Sequence, residues 1–106
     1  MTTTREIIEA VAEYRGIPAN DLRSTKRKRP VAHARQEAFF IAKKATGLSL
    51  RQIGRHIGNR DHTTVLHGLA AVKCRMTDAD YAKEVHDMIC MAAPERKPVF
   101  KSTRAK

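Results

Sequence analysis

Aromatic side chains are scarce in this sequence: it has no tryptophan, two tyrosines and three phenylalanines. A platform that stacks the bases of a single strand needs more rings than that. Cysteine is scarcer still. Cys74 and Cys90 stand apart with no CxxC pair, which argues against a zinc framework or a disulfide scaffold and fits a reducing compartment. Two buried or half-buried free thiols are the expectation. No stretch approaches the roughly eighteen apolar residues of a membrane helix. The opening residues, Met1 to Glu6, are polar and lack the apolar segment of a secretory signal. A cytoplasmic protein is expected. Also missing are a glycine-rich phosphate loop, a nucleophile elbow and paired carboxylates. We therefore expect no enzymatic activity and no cofactor. His62 and His67 miss the i, i+4 spacing of a helical zinc pair, so no metal site is expected either.

Acids are few as well: 11 against 21 lysines and arginines, for a formal net charge of +10 in 106 residues. An excess of this size in one domain-sized chain points to a polyanionic partner, of which nucleic acid is the commonest. The plainer reading is a solvated, lysine-rich surface.

What is present has helical period throughout, and no segment alternates as a strand would. A first helix is expected over residues 4–15, with Thr3 and Glu6 at capping-box spacing and Ile7, Ile8, Val11 and Ala12 inward. Gly16 stops it, and Pro18 opens a short helical turn through Asp21 and Leu22. The segment Arg23-Ser24-Thr25-Lys26-Arg27-Lys28-Arg29 follows as a basic connector. A long helix from Pro30 to about Thr46 presents Val31, Ala34, Ala38, Ile41 and Ala45 on one face. Adjacent Phe39 and Phe40 cannot share that face, so one is expected in the core and the other half-exposed. Ser49 and Gln52 repeat the capping-box spacing ahead of a short helix with Leu50, Ile53 and Ile57, ended by Gly58. Asp61 is placed to cap a helix reaching Arg75, with Val65, Leu66, Leu69 and Val72 inward. Thr77 and Asp80 open a last helix carrying Tyr81, Val85, Met88 and Ala92. The chain thus reads as all-α, a compact multi-helix bundle over residues 1–93, with a basic, disordered tail over 94–106.

Two helices joined by a short turn at Gly58 have the layout of a helix-turn-helix. In that motif the N-terminal residues of the second helix meet base edges in the major groove. Here those are Asp61, His62, Thr63, Thr64 and, one turn on, His67. Each has suitable chemistry: aspartate accepts from the cytosine amino group, threonine offers a methyl and a hydroxyl, and histidine donates or accepts. The competing reading is modest: Asp61 an ordinary cap, and the threonines first-turn filler.

The string Gly58-Asn59-Arg60-Asp61-His62-Thr63-Thr64-Val65-Leu66-His67, preceded by Leu48-Ser49-Leu50 and Ile53-Gly54, resembles the C-terminal DNA-binding domain of the bacterial replication initiator DnaA. The resemblance runs from about Ile7 to Ala92 and includes Val11-Ala12-Glu13-Tyr14, Val31-Ala32 and Arg35-Gln36. It implies a helix-turn-helix domain of the Trp-repressor-like kind that reads a short box in double-stranded DNA. By the same resemblance Asp61, His62, Thr63, Thr64 and His67 read bases in the major groove, and Arg35 reaches into the minor groove. Arg60, Arg51, Ser49 and the connector residues Lys26, Arg27, Lys28 and Arg29 are then expected on phosphates, which set register while the helix supplies sequence preference. Three departures stand out. No GxxxxGK[ST] string occurs, so a stand-alone domain without the initiator's ATPase is expected. Arg51 takes the place of a frequent proline, and His33-Ala34 that of a more basic pair.

The expected function is sequence-specific binding to initiator-like boxes, regulating transcription or replication initiation from a nucleoid-associated position. A monomer on one asymmetric site is expected, since no heptad pattern is present, although the last helix leaves a dimer open. The alternative is a non-specific DNA-packaging or RNA-binding protein driven by charge alone. A protein-interaction adaptor that has lost DNA binding fits poorly with an intact Arg60 to Val65 string.

Overall fold

A computed structural model describes residues 3–24 and 28–92. Its elements are α1 (Thr4–Arg15), α2 (Ala19–Arg23), α3 (Arg29–Thr46), α4 (Leu50–His56), α5 (His62–Arg75) and α6 (Ala79–Ala92), and no strand occurs among the described residues. None of these helices is long and apolar enough to cross a membrane. The fold is all-α, and the expected basic tail lies outside the described residues.

Local chemistry sets most of the boundaries. The Thr3 hydroxyl accepts from the Glu6 amide at 3.2 Å while Glu6 Oε1 accepts from the Thr3 amide at 2.9 Å. This reciprocal box satisfies two of the amides that a helix start leaves open. Ser49 and Gln52 do the same for α4, at 3.2 and 3.0 Å. The start of α6 departs from expectation. Asp78 caps it, its Oδ1 accepting from the amides of Asp80 and Tyr81. Thr77 lies one position too early and donates its hydroxyl back to the Cys74 carbonyl at the end of α5.

The core is one cluster in which Ile7, Ile8, Val11, Leu22, Ile41, Ile53, Ile57, Val65, Val72, Val85 and Met88 are buried. Each such side chain contributes about 1.5–3 kcal/mol relative to exposure. α3 is its axis and touches all five other helices, while α1 packs with α6 and α4 packs with α5. This centrality corrects the reading of the two phenylalanines: both are buried, Phe39 at 1% and Phe40 at 8% exposure. A helix covered by two pairs of neighbours buries more than one stripe. Cys74 also departs from expectation and is exposed, whereas Cys90 is half-buried.

A polar network ties the same helices together. Glu37, on α3 and only 2% exposed, accepts from Arg15 Nε and Nη2 at 2.9 and 2.8 Å and from the Tyr81 hydroxyl at 2.6 Å. Arg15 also reaches Glu84, and Arg75 stacks on the Tyr81 ring while donating to Gln36. A buried carboxylate alone would be costly, so the bidentate guanidinium is what permits it. Burial, reinforced by the hydrogen bond to Glu37, pushes the Tyr81 hydroxyl up to about 12.

Candidate nucleic-acid interface

The connection from α4 to α5 is built on close backbone approach. Gly58 and Asn59 both adopt left-handed backbone, at φ +82° and +52°, conformations that glycine and asparagine tolerate best. The Arg60 amide then donates to the Gly54 carbonyl, closing the turn at 2.6 Å. A side chain at position 54 would put its Cβ 2.2 Å from the Arg60 carbonyl oxygen and 3.1 Å from Val65. Glycine inside this short helix is therefore a steric requirement of the turn.

α5 leaves the turn with Val65, Gly68 and Val72 pointing inward. A Cβ on Gly68 would lie 2.8 Å from the Phe39 ring, so α5 crosses close over α3 and cannot roll. Its outward side holds Asp61, His62, Thr63, Thr64 and His67, all exposed. Asp61 begins the helix in extended backbone, but its carboxylate makes no capping hydrogen bond. It lies 3.3 Å from His62 Nδ1. The Thr63 hydroxyl holds its carboxyl below the usual carboxylate range, so it stays ionised and accepting. Leu66 was expected inward and is 50% exposed. The inward line of α5 runs through the small Gly68, and Leu66 falls on the opposite side.

Arg35 departs further from expectation. It is 6% exposed. Its Nε donates to the Leu22 carbonyl at 2.9 Å, and its Nη2 donates to the carbonyls of Asp21 and Ser24 at 3.1 and 3.0 Å. A guanidinium held by three carbonyls at the C-terminal end of α2 is a strut of the fold, and in this structure it does not project as a minor-groove reader would. Burial, and the neighbouring Arg60 charge, lower its pKa.

Arg60 is half-buried and also donates, through Nη2, to the Ser24 carbonyl. Its side chain lies over Gly58, where a Cβ would come within 3.1 Å of Nε. Two guanidiniums thus grip Ser24 at the root of the connector, one from α3 and one from the turn that launches α5. The root of the connector and the start of α5 are one mechanical unit. Spacing carried no sign of this, because Ser24 and Arg60 are 36 positions apart.

Of the expected phosphate contacts, Lys28, Arg29, Ser49 and Arg51 are exposed. Ser49 also caps α4. Lys26 and Arg27 lie outside the described residues. Charge is segregated along the chain: Asp61 is the single acid between residues 38 and 77, among seven lysines and arginines. Glu6, Glu9, Glu13, Asp80, Glu84 and Asp87 belong to α1 and α6. An anion approaching the helix-turn-helix segment therefore meets almost uncompensated positive charge.

The family described as the bacterial dnaA protein helix-turn-helix matches residues 4–72, from the first turn of α1 to the last inward valine of α5. The chain belongs to this family. It therefore carries a DNA-binding domain of the helix-turn-helix type. Relatives named chromosomal replication initiator protein DnaA include one from Chromobacterium violaceum, 43% identical over 90 residues. That alignment covers 84% of this chain and 19% of the relative. One from Neisseria meningitidis serogroup C is 43% identical over 86 residues, 80% of this chain and 17% of its own. One from Gluconobacter oxydans is 44% identical over 84 residues, 78% and 18% respectively. The chain spans less than a fifth of the length of these relatives.

Proposed function

We propose that this protein recognises a specific short site in double-stranded DNA, one copy to an asymmetric site. α5 lies in the major groove with Asp61, His62, Thr63, Thr64 and His67 on base edges. The observation that carries this reading is the start of α5. Four consecutive side chains able to donate or accept project into solvent from a helix whose other side is locked by Val65, Gly68 and Val72. Lys28, Arg29, Ser49 and Arg51 hold phosphates, joined by Lys26 and Arg27 of the connector and by the part of Arg60 not engaged with Ser24. Phosphate contacts position the domain, and base contacts specify the sequence. Arg35 acts through the connector it anchors. Because its relatives are named as chromosomal replication initiators, we place the protein at initiator-type boxes. There it regulates transcription or replication initiation by occupying them.

The test is competition binding at near-physiological salt between a relative's initiator box and a scrambled duplex of equal composition. A preference on the order of a thousandfold is expected. His62→Ala or Thr63→Ala should weaken box binding by about tenfold or more and leave the scrambled duplex almost unchanged. Equal binding of both duplexes by the wild type, persisting after selection from a random pool, would favour the rival reading of sequence-independent binding by net charge.

A further inference from the structure

Residues 94–106 carry Arg96, Lys97, Lys101, Arg104 and Lys106 against the single acid Glu95, and the proposed DNA contacts use none of them. They lie outside the described residues, but the place where they leave the fold is defined. Glu84 Oε1 receives Arg15 Nη1 at 2.8 Å, and Asp87, three positions on, lies beside Tyr14. α6 therefore runs antiparallel to α1, against which it packs. At about 1.5 Å per residue Ala92 falls level with Ile7, and both are buried in the common core. About one turn further, Thr4 Oγ1 meets His56 Nδ1 at 3.1 Å, and His56 is the last residue of α4. The end of α6, the start of α1 and the end of α4 thus share one end of the molecule. The turn that launches α5 begins there.

We propose that residues 94–106 are a second DNA-binding element, which lies along the phosphates beyond the base-reading footprint. This rests on the reading of α5 as the base-reading helix, which sets where the duplex runs. A segment of 13 residues spans about 45 Å when extended. That is enough to pass from the end of α6 beyond the turn and onto several flanking base pairs of about 3.4 Å each. Charge selects the occupant. The acids nearest the root of the segment are already engaged: Glu6 accepts from the Thr3 amide, Glu9 pairs with Arg5, and Asp87 acts on Tyr14. A duplex instead presents one phosphate charge per about 1.7 Å of its axis. Runs of cations next to a folded domain are suited to such a polyanion. The segment is tethered to a domain already on the duplex, so its contacts form at high effective concentration. Contacts to phosphate carry no sequence information, so the element adds affinity and leaves discrimination to α5.

The test compares the wild-type chain with a full-length variant combining Arg96→Gln, Lys97→Gln, Lys101→Gln, Arg104→Gln and Lys106→Gln. Each is titrated over a salt series with a duplex of about one helical turn and with one of about three. On the longer duplex the variant should bind about tenfold or more weakly at near-physiological salt, with a salt slope shallower by about three to four units. On the shorter duplex both differences should largely disappear. The two proteins should share one melting temperature and one preference for a selected box over a scrambled duplex. Equal slopes on the longer duplex would overturn the proposal. Tighter binding by the variant would do so too, since the segment would then be held on the acids of α1 and α6. Differences as large on the shorter duplex would put the segment inside the footprint, and the flanking contact would fall. A wild type with no preference for any sequence would remove base reading, while the slope comparison would still decide the role of the segment.

Discussion

At the scale of single residues, Asp61 and Arg35 are charged side chains with opposite placements, one exposed and one buried. Asp61 stands where a capping aspartate belongs, yet its carboxylate is exposed and makes no capping bond. The Thr63 hydroxyl keeps it ionised, and its exposed carboxylate retains acceptor capacity for a further donor. Asp61→Ala should therefore change helix stability little and chiefly erode discrimination between the selected site and a scrambled duplex. Arg29→Ala is the counterpart, weakening both duplexes alike and lowering the salt dependence of binding by about one unit of slope. Arg35 is the reverse case. Its hydrogen bonds to Leu22, Asp21 and Ser24 hold the junction of α2 and the connector. Arg35→Ala should cost about 2 kcal/mol in urea unfolding. It should weaken specific and random DNA together. A reader in the minor groove would instead leave the unfolding curve in place and lose only discrimination.

At the scale of elements, two glycines decide how α5 is held, and they do so to different degrees. A methyl at position 54 meets the Arg60 backbone at 2.2 Å, which no rotamer change relieves; a methyl at position 68 meets a phenylalanine ring edge at 2.8 Å, which can tilt. Gly68→Ala should cost about 1–2 kcal/mol, and Gly54→Ala more than about 3. Thermal melts of the pair would order them, and the reverse order would show that the turn yields before the helix crossing does. The helices themselves are largely legible in the sequence. Thr3 with Glu6, and Ser49 with Gln52, are local signals that survive folding because both partners lie within one turn. α5 was less legible. Leu66 has the hydropathy of a core residue and was placed inward, but the approach of α5 to α3 through Gly68 turned that position to solvent. The adjacent phenylalanines depart in the opposite sense: one ring is expected half-exposed, and both are buried. A single-face rule cannot foresee a helix covered by all five of the others.

At the scale of the whole molecule, charge and the buried network act on different properties. The helix-turn-helix segment gathers lysine and arginine while α1 and α6 hold most of the acids. Association with any duplex should therefore fall steeply with salt, whereas the ratio of specific to random binding should change far less. The Glu37 network governs stability instead. Burial and Glu37 raise the folded pKa of Tyr81 to about 12 from an ordinary 10.0, so the neutral phenol is favoured in the native state. Its contribution is complete below pH 10 and is lost as pH rises through the folded value. The melting temperature should decline between about pH 10 and 12, and Tyr81→Phe should flatten part of that decline. A share persists in Tyr14, whose pKa burial and Asp87 also raise.

The all-α class, the capping boxes of α1 and α4, the helix-turn-helix pair and the polar run Asp61 to Thr64 at the start of α5 follow from the sequence by itself. Each rests on residues within a turn or two of one another, where capping, periodicity and side-chain chemistry act locally. The tertiary structure alone decided that Arg35 is a strut, that Arg60 joins the connector to the turn, that Glu37 lies buried among Arg15 and Tyr81, and that Leu66 faces outward. Those outcomes depend on contacts between segments far apart in the chain. No local pattern encodes such a contact until packing brings its two halves together.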